Sequence, residues 1–136
     1  MRVLCEADPA TPLYLAYYGS SFAIKGRDAL LPWRKMKLGE TGLDLIDKGL
    51  RKLKPEHDRQ VVRGIPLSLE TRLVAVNTFF QVPDMFFHRY DRARTLLEQT
   101  RNSELFASAP PSIRARYSYQ AAFAAHKEGR KQEEIA

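Results

Sequence analysis

Cysteine is almost missing from this 136-residue chain: Cys5 is the only one, so no internal disulfide can form, and no Cys/His spacing resembles a zinc site. Nothing in this usage points to an oxidising compartment or a structural metal. Long apolar runs are missing too. None reaches the ~20 residues that a bilayer-spanning helix needs. The opening "MRVLCEADPATP" also lacks the apolar stretch and cleavage pattern of a signal peptide. The expected location is the cytoplasm, with no membrane span. Glycines are scattered singly, which leaves no phosphate-cradling P-loop and no dinucleotide fingerprint. The three histidines offer no catalytic unit: His57 in "PEHD" reads as part of a solvated turn, and His88 in "FFHRYD" and His126 in "AAHKEG" have no local partner for a triad or a metal. The chain reads as a non-enzyme, with no catalytic residue, metal ligand or cofactor expected.

What is present is an ordinary globular composition, 44% hydrophobic and 28% charged, in a length that suits one domain spanning residues 1–136. The net charge of +6 is concentrated between residues 25 and 63, where eleven basic side chains face six acidic ones. Clustered cations gain affinity for phosphates by releasing counterions, so Arg34, Lys35, Lys37, Arg51, Lys52 and Lys54 form a candidate basic patch for nucleic acid or an anionic lipid surface. The interspersed Glu40, Asp44 and Asp47 fit a solvated helix face, and that reading ranks ahead of the binding patch. Asp44 and Asp47, close to Lys48 and Arg51, read as surface ion pairs. Trp33 is alone in this stretch, a thin supply of aromatic rings for base stacking.

Periodicity predicts helices throughout. Leu13, Tyr17, Ser20 and Ile24, together with Leu15, Tyr18 and Phe22, give a helix from Thr11 to Lys25 that is apolar on more than one side and must be covered by neighbours, with Gly26 as its left-handed stop. A second helix starts near Pro32 and carries Trp33, Met36, Leu43, Ile46, Leu50 and Leu53 on one stripe. Its glycines, Gly39, Gly42 and Gly49, each cost a helix interior up to about 1 kcal/mol, which points to close approach of another helix. Pro55 ends it, and "EHDRQVVRGIPLSL" reads as a connecting turn or short helix. Ser68 is the expected N-cap of a third helix through Leu69, Leu73, Val76 and Phe80, stopped by Pro83. Tyr90, Ala93, Leu96, Leu97 and Thr100 mark a fourth, and "ASAPPS" a turn. A last helix runs from Ile113 to Lys127, broken by Gly129, with "RKQEEIA" beginning another. No strand or hairpin signal competes.

Two stretches echo each other. Aligned on Gly26 and Gly129, Leu15, Tyr18, Gly19 and Phe22 fall opposite Ser118, Ala121, Ala122 and Ala125, and both runs are followed by Gly-Arg. Gly42, Ile46 and Gly49, then "KPE", follow a small-large-small rule, as do Tyr90, Ala93, Leu97 and Thr100. Leu73, Val76, Asn77 and Phe80 supply an intervening helix. This pattern resembles the tetratricopeptide repeat, and "PWRKMK" followed by "GLDLIDKGL" is similar to bacterial repeat proteins of unassigned function. The resemblance implies an all-α fold, an α-α superhelix forming a right-handed solenoid of about three helix pairs, with repeats near 11–55, 67–102 and an incomplete 111–136. The turns "DALLPWRKMK" and "PDMFF" are lengthened, and "EHDRQVVRGIP" has no counterpart. The opening "VLCEADP" looks like the tail of a preceding helix.

Stacked pairs of this kind curve so that their first helices line a groove that can hold a peptide. Carried over residue by residue, the resemblance implies a partner-binding groove of Leu13, Ala16, Ser20 and Ala23, then Thr71, Val74 and Thr78, then Arg116, Tyr119, Phe123 and Lys127. Family members that clamp a terminal carboxylate use Lys and Asn where this chain has Ala16, Ser20, Val74 and Thr78, so no such clamp is expected. The implied function is a protein-interaction scaffold or adaptor that binds another protein or a peptide, with self-association through exposed terminal helices as a further expectation. A nucleic-acid-binding helical module using the 25–63 region ranks second.

Overall fold

The computed structural model describes residues 11–135, with the backbone alone at 85, 86 and 131–135. Helices α1 (Thr11–Asp28) and α2 (Pro32–Arg51) are joined by a three-residue turn; a 3-10 turn (Pro55–Asp58) and a short ribbon follow, β1 (Val61–Val62) antiparallel to β2 (Ile65–Pro66). Next come α3 (Leu67–Gln81), the single turn α4 (Asp84–Phe87), α5 (Tyr90–Arg101), the single turn α6 (Glu104–Ala107) and α7 (Pro111–Ile135). The fold is all-α apart from the ribbon, which the sequence reading missed. Arg63 and Gly64 both adopt positive φ, 54° and 80°, the mirror-image turn that matches strand twist in a two-residue hairpin.

Proline sets several boundaries as expected: Pro32 opens α2 and Pro83 follows the end of α3. Three expected boundaries are corrected. Among the described glycines only Gly64 has positive φ, so Gly26 is no left-handed stop and α1 continues to Asp28. Gly129 does not break α7 either, which runs through it to Ile135. A glycine lowers helix propensity by only about 1 kcal/mol, and hydrogen bonds on both sides of it carry the helix across. Nor does Ser68 cap α3. That helix begins one residue earlier behind Pro66, and the Ser68 hydroxyl donates instead to Asp58 Oδ1 at 2.5 Å, tying the 3-10 turn to α3. The "VLCEADP" segment lies outside the described residues.

The glycines of α1 and α2 let the two helices touch backbone to backbone. A Cβ built on Gly19 would strike the Gly42 carbonyl oxygen, and one on Gly49 would lie 2.7 Å from the Pro12 oxygen; at Gly26 it would come within 3.0 Å of Gly39 N. Gly42 and Gly49 thus serve the close approach that the sequence suggests. Gly39 differs, because the space beside it is filled by the ring of Phe87.

Helix α3 is the centre of the molecule, with 12 of its 15 residues buried. It packs on α1 and α2 to one side and on α5 and α7 to the other. Leu69, Leu73, Val76, Phe79 and Phe80 join Leu43, Ile46, Leu97, Ile113 and Tyr117 in the main core, while Leu13, Ala16, Leu67 and Val74 form a second cluster against Leu53 and Val62. The Tyr117 hydroxyl donates to the Leu69 carbonyl at 2.6 Å and fixes α7 on α3. Asp47 is buried on α2, where Arg89 Nη1 donates to Oδ2 at 2.9 Å and Arg92 Nη1 makes a charge contact with Oδ1 at 2.6 Å. Both guanidiniums also lie over the Phe79 ring, 5.6 and 5.5 Å from its centroid. The expected pairing of Asp47 with Lys48 and Arg51 is therefore corrected: its partners come from the start of α5.

Candidate functional site

With α3 between them, α1 and α7 lie on either side of one polar strip. On α3 its members are Glu70, Asn77, Thr78 and Gln81, spaced so that all emerge on neighbouring sides of the helix. From α1, the Tyr17 hydroxyl donates to Glu70 Oε1 at 3.0 Å, Ser20 Oγ accepts from the Thr78 hydroxyl at 2.8 Å, and Arg27 Nη1 reaches Gln81 Oε1 at 3.5 Å. From α7, Arg116 donates to Glu70 through both terminal nitrogens, Nη1 to Oε2 at 2.8 Å and Nη2 to Oε1 at 3.0 Å, and Gln120 Nε2 donates to Asn77 Oδ1 at 3.0 Å.

Glu70 is the hub. A carboxylate in so apolar a helix is costly to bury unless it is paired, and here a planar guanidinium matches both its oxygens while a phenol adds a third bond. The hydrogen bond to Glu70 in turn holds the Arg116 guanidinium above its ordinary range. Burial, then the Glu70 hydrogen bond and charge, push the Tyr17 phenol up. Tyr17 and Arg116 nonetheless keep about half their surface exposed, so the partners of the buried Glu70 are visible from outside.

The expected groove residues divide sharply. Leu13, Ala16, Ala23, Thr71, Val74 and Thr78 are buried, and in this arrangement they hold α1 to α2 and α3 instead of lining an open surface. Thr71 satisfies its hydroxyl on the Leu67 carbonyl at 2.8 Å, and Ser20 and Thr78 satisfy each other. The α7 positions behave differently. Arg116, Tyr119, Phe123 and Lys127 recur every three or four residues along one side. Tyr119 is 69% exposed, Phe123 is half-buried against Phe80 with centroids 5.7 Å apart, and Lys127 Nζ sits 5.2 Å from the Tyr90 ring centroid and 6.0 Å from that of Phe123. Sequence reasoning missed Tyr17, Glu70, Asn77 and Gln120. Glu70 was findable: an acid inside "LSLETRLVAVNTFF" has to have a partner.

The basic patch is not one surface. Arg34, Lys35 and Lys37 lie in the first two turns of α2, whereas Arg51 ends that helix and Lys52 and Lys54 follow it. At 1.5 Å per residue, Arg34 and Arg51 are about 25 Å apart. His57 is also displaced from expectation. It is buried rather than solvated, and its Nδ1 accepts from the Lys54 backbone N–H at 2.8 Å. His88 closes α4 in a left-handed conformation, and His126 is exposed. Among the described residues, no three His, Cys, Asp or Glu side chains gather as a metal site would require, and no helix is long and apolar enough to cross a membrane.

No protein-family model, curated protein or solved structure matches this chain. Its own geometry carries the functional reading.

Proposed function

We propose that this chain is a tetratricopeptide-like interaction module that binds a partner protein or peptide across the α1, α3 and α7 layer. The observation that carries this reading is the hydrogen-bonded strip centred on Glu70, which holds Tyr17 of α1 and Arg116 of α7 half in solvent, with Tyr119 largely exposed one turn along α7 from Arg116. Tyrosine and arginine are enriched among the residues that dominate binding energy at protein interfaces, tyrosine through a large rigid ring and arginine through its planar set of hydrogen-bond donors. Pairing of α1 with α2 and of α3 with α5, with α7 opening a third pair, supports a superhelix of about three pairs. The binding surface in this reading is displaced from the buried positions towards Tyr17 and the exposed side of α7.

Immobilised chain, challenged with its native lysate after nuclease treatment and at low and high salt, tests the proposal against a double variant, Tyr119→Ala with Arg116→Ala. Proteins retained by the wild type at both salt concentrations, and lost by the variant while its helical signal persists, support it. Retention that disappears with nuclease would transfer the function to nucleic-acid binding. Equal retention by both proteins would remove the α7 face from consideration.

A further inference from the structure

The turn joining α1 to α2 presents large apolar side chains that the fold does not use. Leu30 is 94% exposed, Leu31 46% and Trp33 69%. Leu30 alone forgoes roughly 1.5–3 kcal/mol of burial if it stays in water, and apolar side chains grouped at one exposed place mark an interaction site. Five cations lie in the helix ends next to the turn: Lys25 and Arg27 in the last turns of α1, and Arg34, Lys35 and Lys37 in the first turns of α2. Only one carboxylate stands in the same stretch, Asp28, and it is 3.6 Å from Arg27 Nε. Two open clefts flank the turn. One, of about 380 Å³, is rimmed by Phe22, Lys25 and Arg34. The other, of about 260 Å³, is lined in part by Ile24, Pro32, Lys35 and Met36.

We propose that this turn docks the chain peripherally on an anionic bilayer surface, with Leu30, Leu31 and Trp33 entering the headgroup boundary and the five cations meeting lipid phosphates and carboxylates. The shape favours a bilayer over a protein pocket. The apolar residues stand at the tip of a hairpin, where a penetrable surface can cover them from all sides. Charge selects the lipid: the group of cations is complementary to an anionic leaflet, and long aliphatic stems let such residues lie along apolar surface while their heads stay at phosphate level. Tryptophan also prefers this boundary, with its ring in the apolar layer and its N–H in the wet one. Nucleic acid would satisfy the cations but leave Leu30 and Leu31 in water. No helix need cross the membrane for such docking.

Trp33 is the only tryptophan in the chain, so its emission reports on this turn alone. Full-length chain is titrated with vesicles of phosphatidylcholine, with and without phosphatidylserine, at low and high salt. The expected result is a blue shift of Trp33 with the anionic vesicles only, diminished by salt. Partition should fall about fivefold for each of Lys35→Gln and Lys37→Gln, and roughly tenfold or more for the pair Leu30→Ser and Leu31→Ser. Those two leucines lie outside the helices, and serine at position 31 suits the N-cap of α2, so the variant's thermal melt should not fall. The inference is overturned if the emission is indifferent to lipid, or if neutral vesicles shift it equally. A shift that grows with protein concentration in the absence of lipid overturns it in favour of a second copy of the chain. One produced by added RNA or DNA overturns it in favour of nucleic acid.

Discussion

Gly19 and Gly42 lie face to face at the crossing of α1 and α2, so that a methyl group added to either would collide with the carbonyl oxygen of the other. Backbone atoms cannot swing aside as side chains can. Gly42→Ala should therefore destabilise the protein by about 2 kcal/mol, because overpacking outweighs the gain in helix propensity. Gly129 is the control. Among the described residues nothing lies within 4 Å of a Cβ built there, and Gly129→Ala should stabilise α7 by roughly 0.5–1 kcal/mol. Thermal melts followed by circular dichroism will separate the two signs, and a neutral Gly42→Ala would disprove the close crossing.

Removing the charge of Glu70 should loosen three helices at once. Glu70→Gln keeps the shape of the side chain but weakens the pairing with Arg116, and the expected loss is about 1–3 kcal/mol, against about 0.5–1.5 kcal/mol for Tyr17→Phe. Since both partners converge on Oε1, the double variant should lose less than the sum of the two single losses. Urea denaturation of the four proteins measures that coupling; strict additivity would mean that the two bonds act independently.

Alkali should destabilise the protein chiefly through the buried phenol of Tyr117. Burial pushes Tyr117 well above the ordinary tyrosine value of 10.0, and burial likewise raises Tyr17 and Tyr90. Above pH 10 the unfolded chain releases these protons while the folded chain retains them. The stability these groups contribute is therefore whole below pH 10 and drains away as the pH climbs towards the folded values. Tyr117→Phe should lower stability at neutral pH, through the lost bond to Leu69, yet flatten the alkaline limb. An unchanged slope in melts taken across that range would contradict the assignment.

Arg89 and Arg92 should both matter to Asp47, though unequally. Arg89 makes the aligned hydrogen bond and is the more buried of the two, so Arg89→Ala is expected to cost about 1–3 kcal/mol. Arg92 is more exposed, and its replacement should fall nearer 1 kcal/mol. Asp47→Ala leaves two cations over Phe79 without their anion and should exceed Arg92→Ala. Chemical denaturation orders the three variants, and the opposite order would rule out this division of labour.

The features legible beforehand were those written within one helix. Gly42 and Gly49 announce a close neighbour because nothing else excuses them in a helix, and the apolar periodicity of α3 and α5 follows from which sides meet the core. Features that depend on a distant element stayed hidden. Asp47 has basic residues one and four positions away, yet its partners sit more than forty residues along the chain, where no spacing rule reaches. His57 looked solvated in a polar stretch and is covered once that stretch folds onto α3. Ala16 and Val74 were placed on a groove by matching positions in a repeat. Which side of a helix faces water is decided by how far each helix is rotated about its own axis, and neighbours settle that rotation.

The bonds that cross α3, from Tyr17 and Ser20 on one flank and from Arg116 and Gln120 on the other, also index the three rods along their lengths. Apolar contacts tolerate slippage, but a donor moved by one helical turn loses its acceptor. In the proposed reading, a ligand chain laid on this layer would meet anchor points whose spacing is pre-set, as on a ruler, and one stretched or shortened by a single residue would fall between the marks.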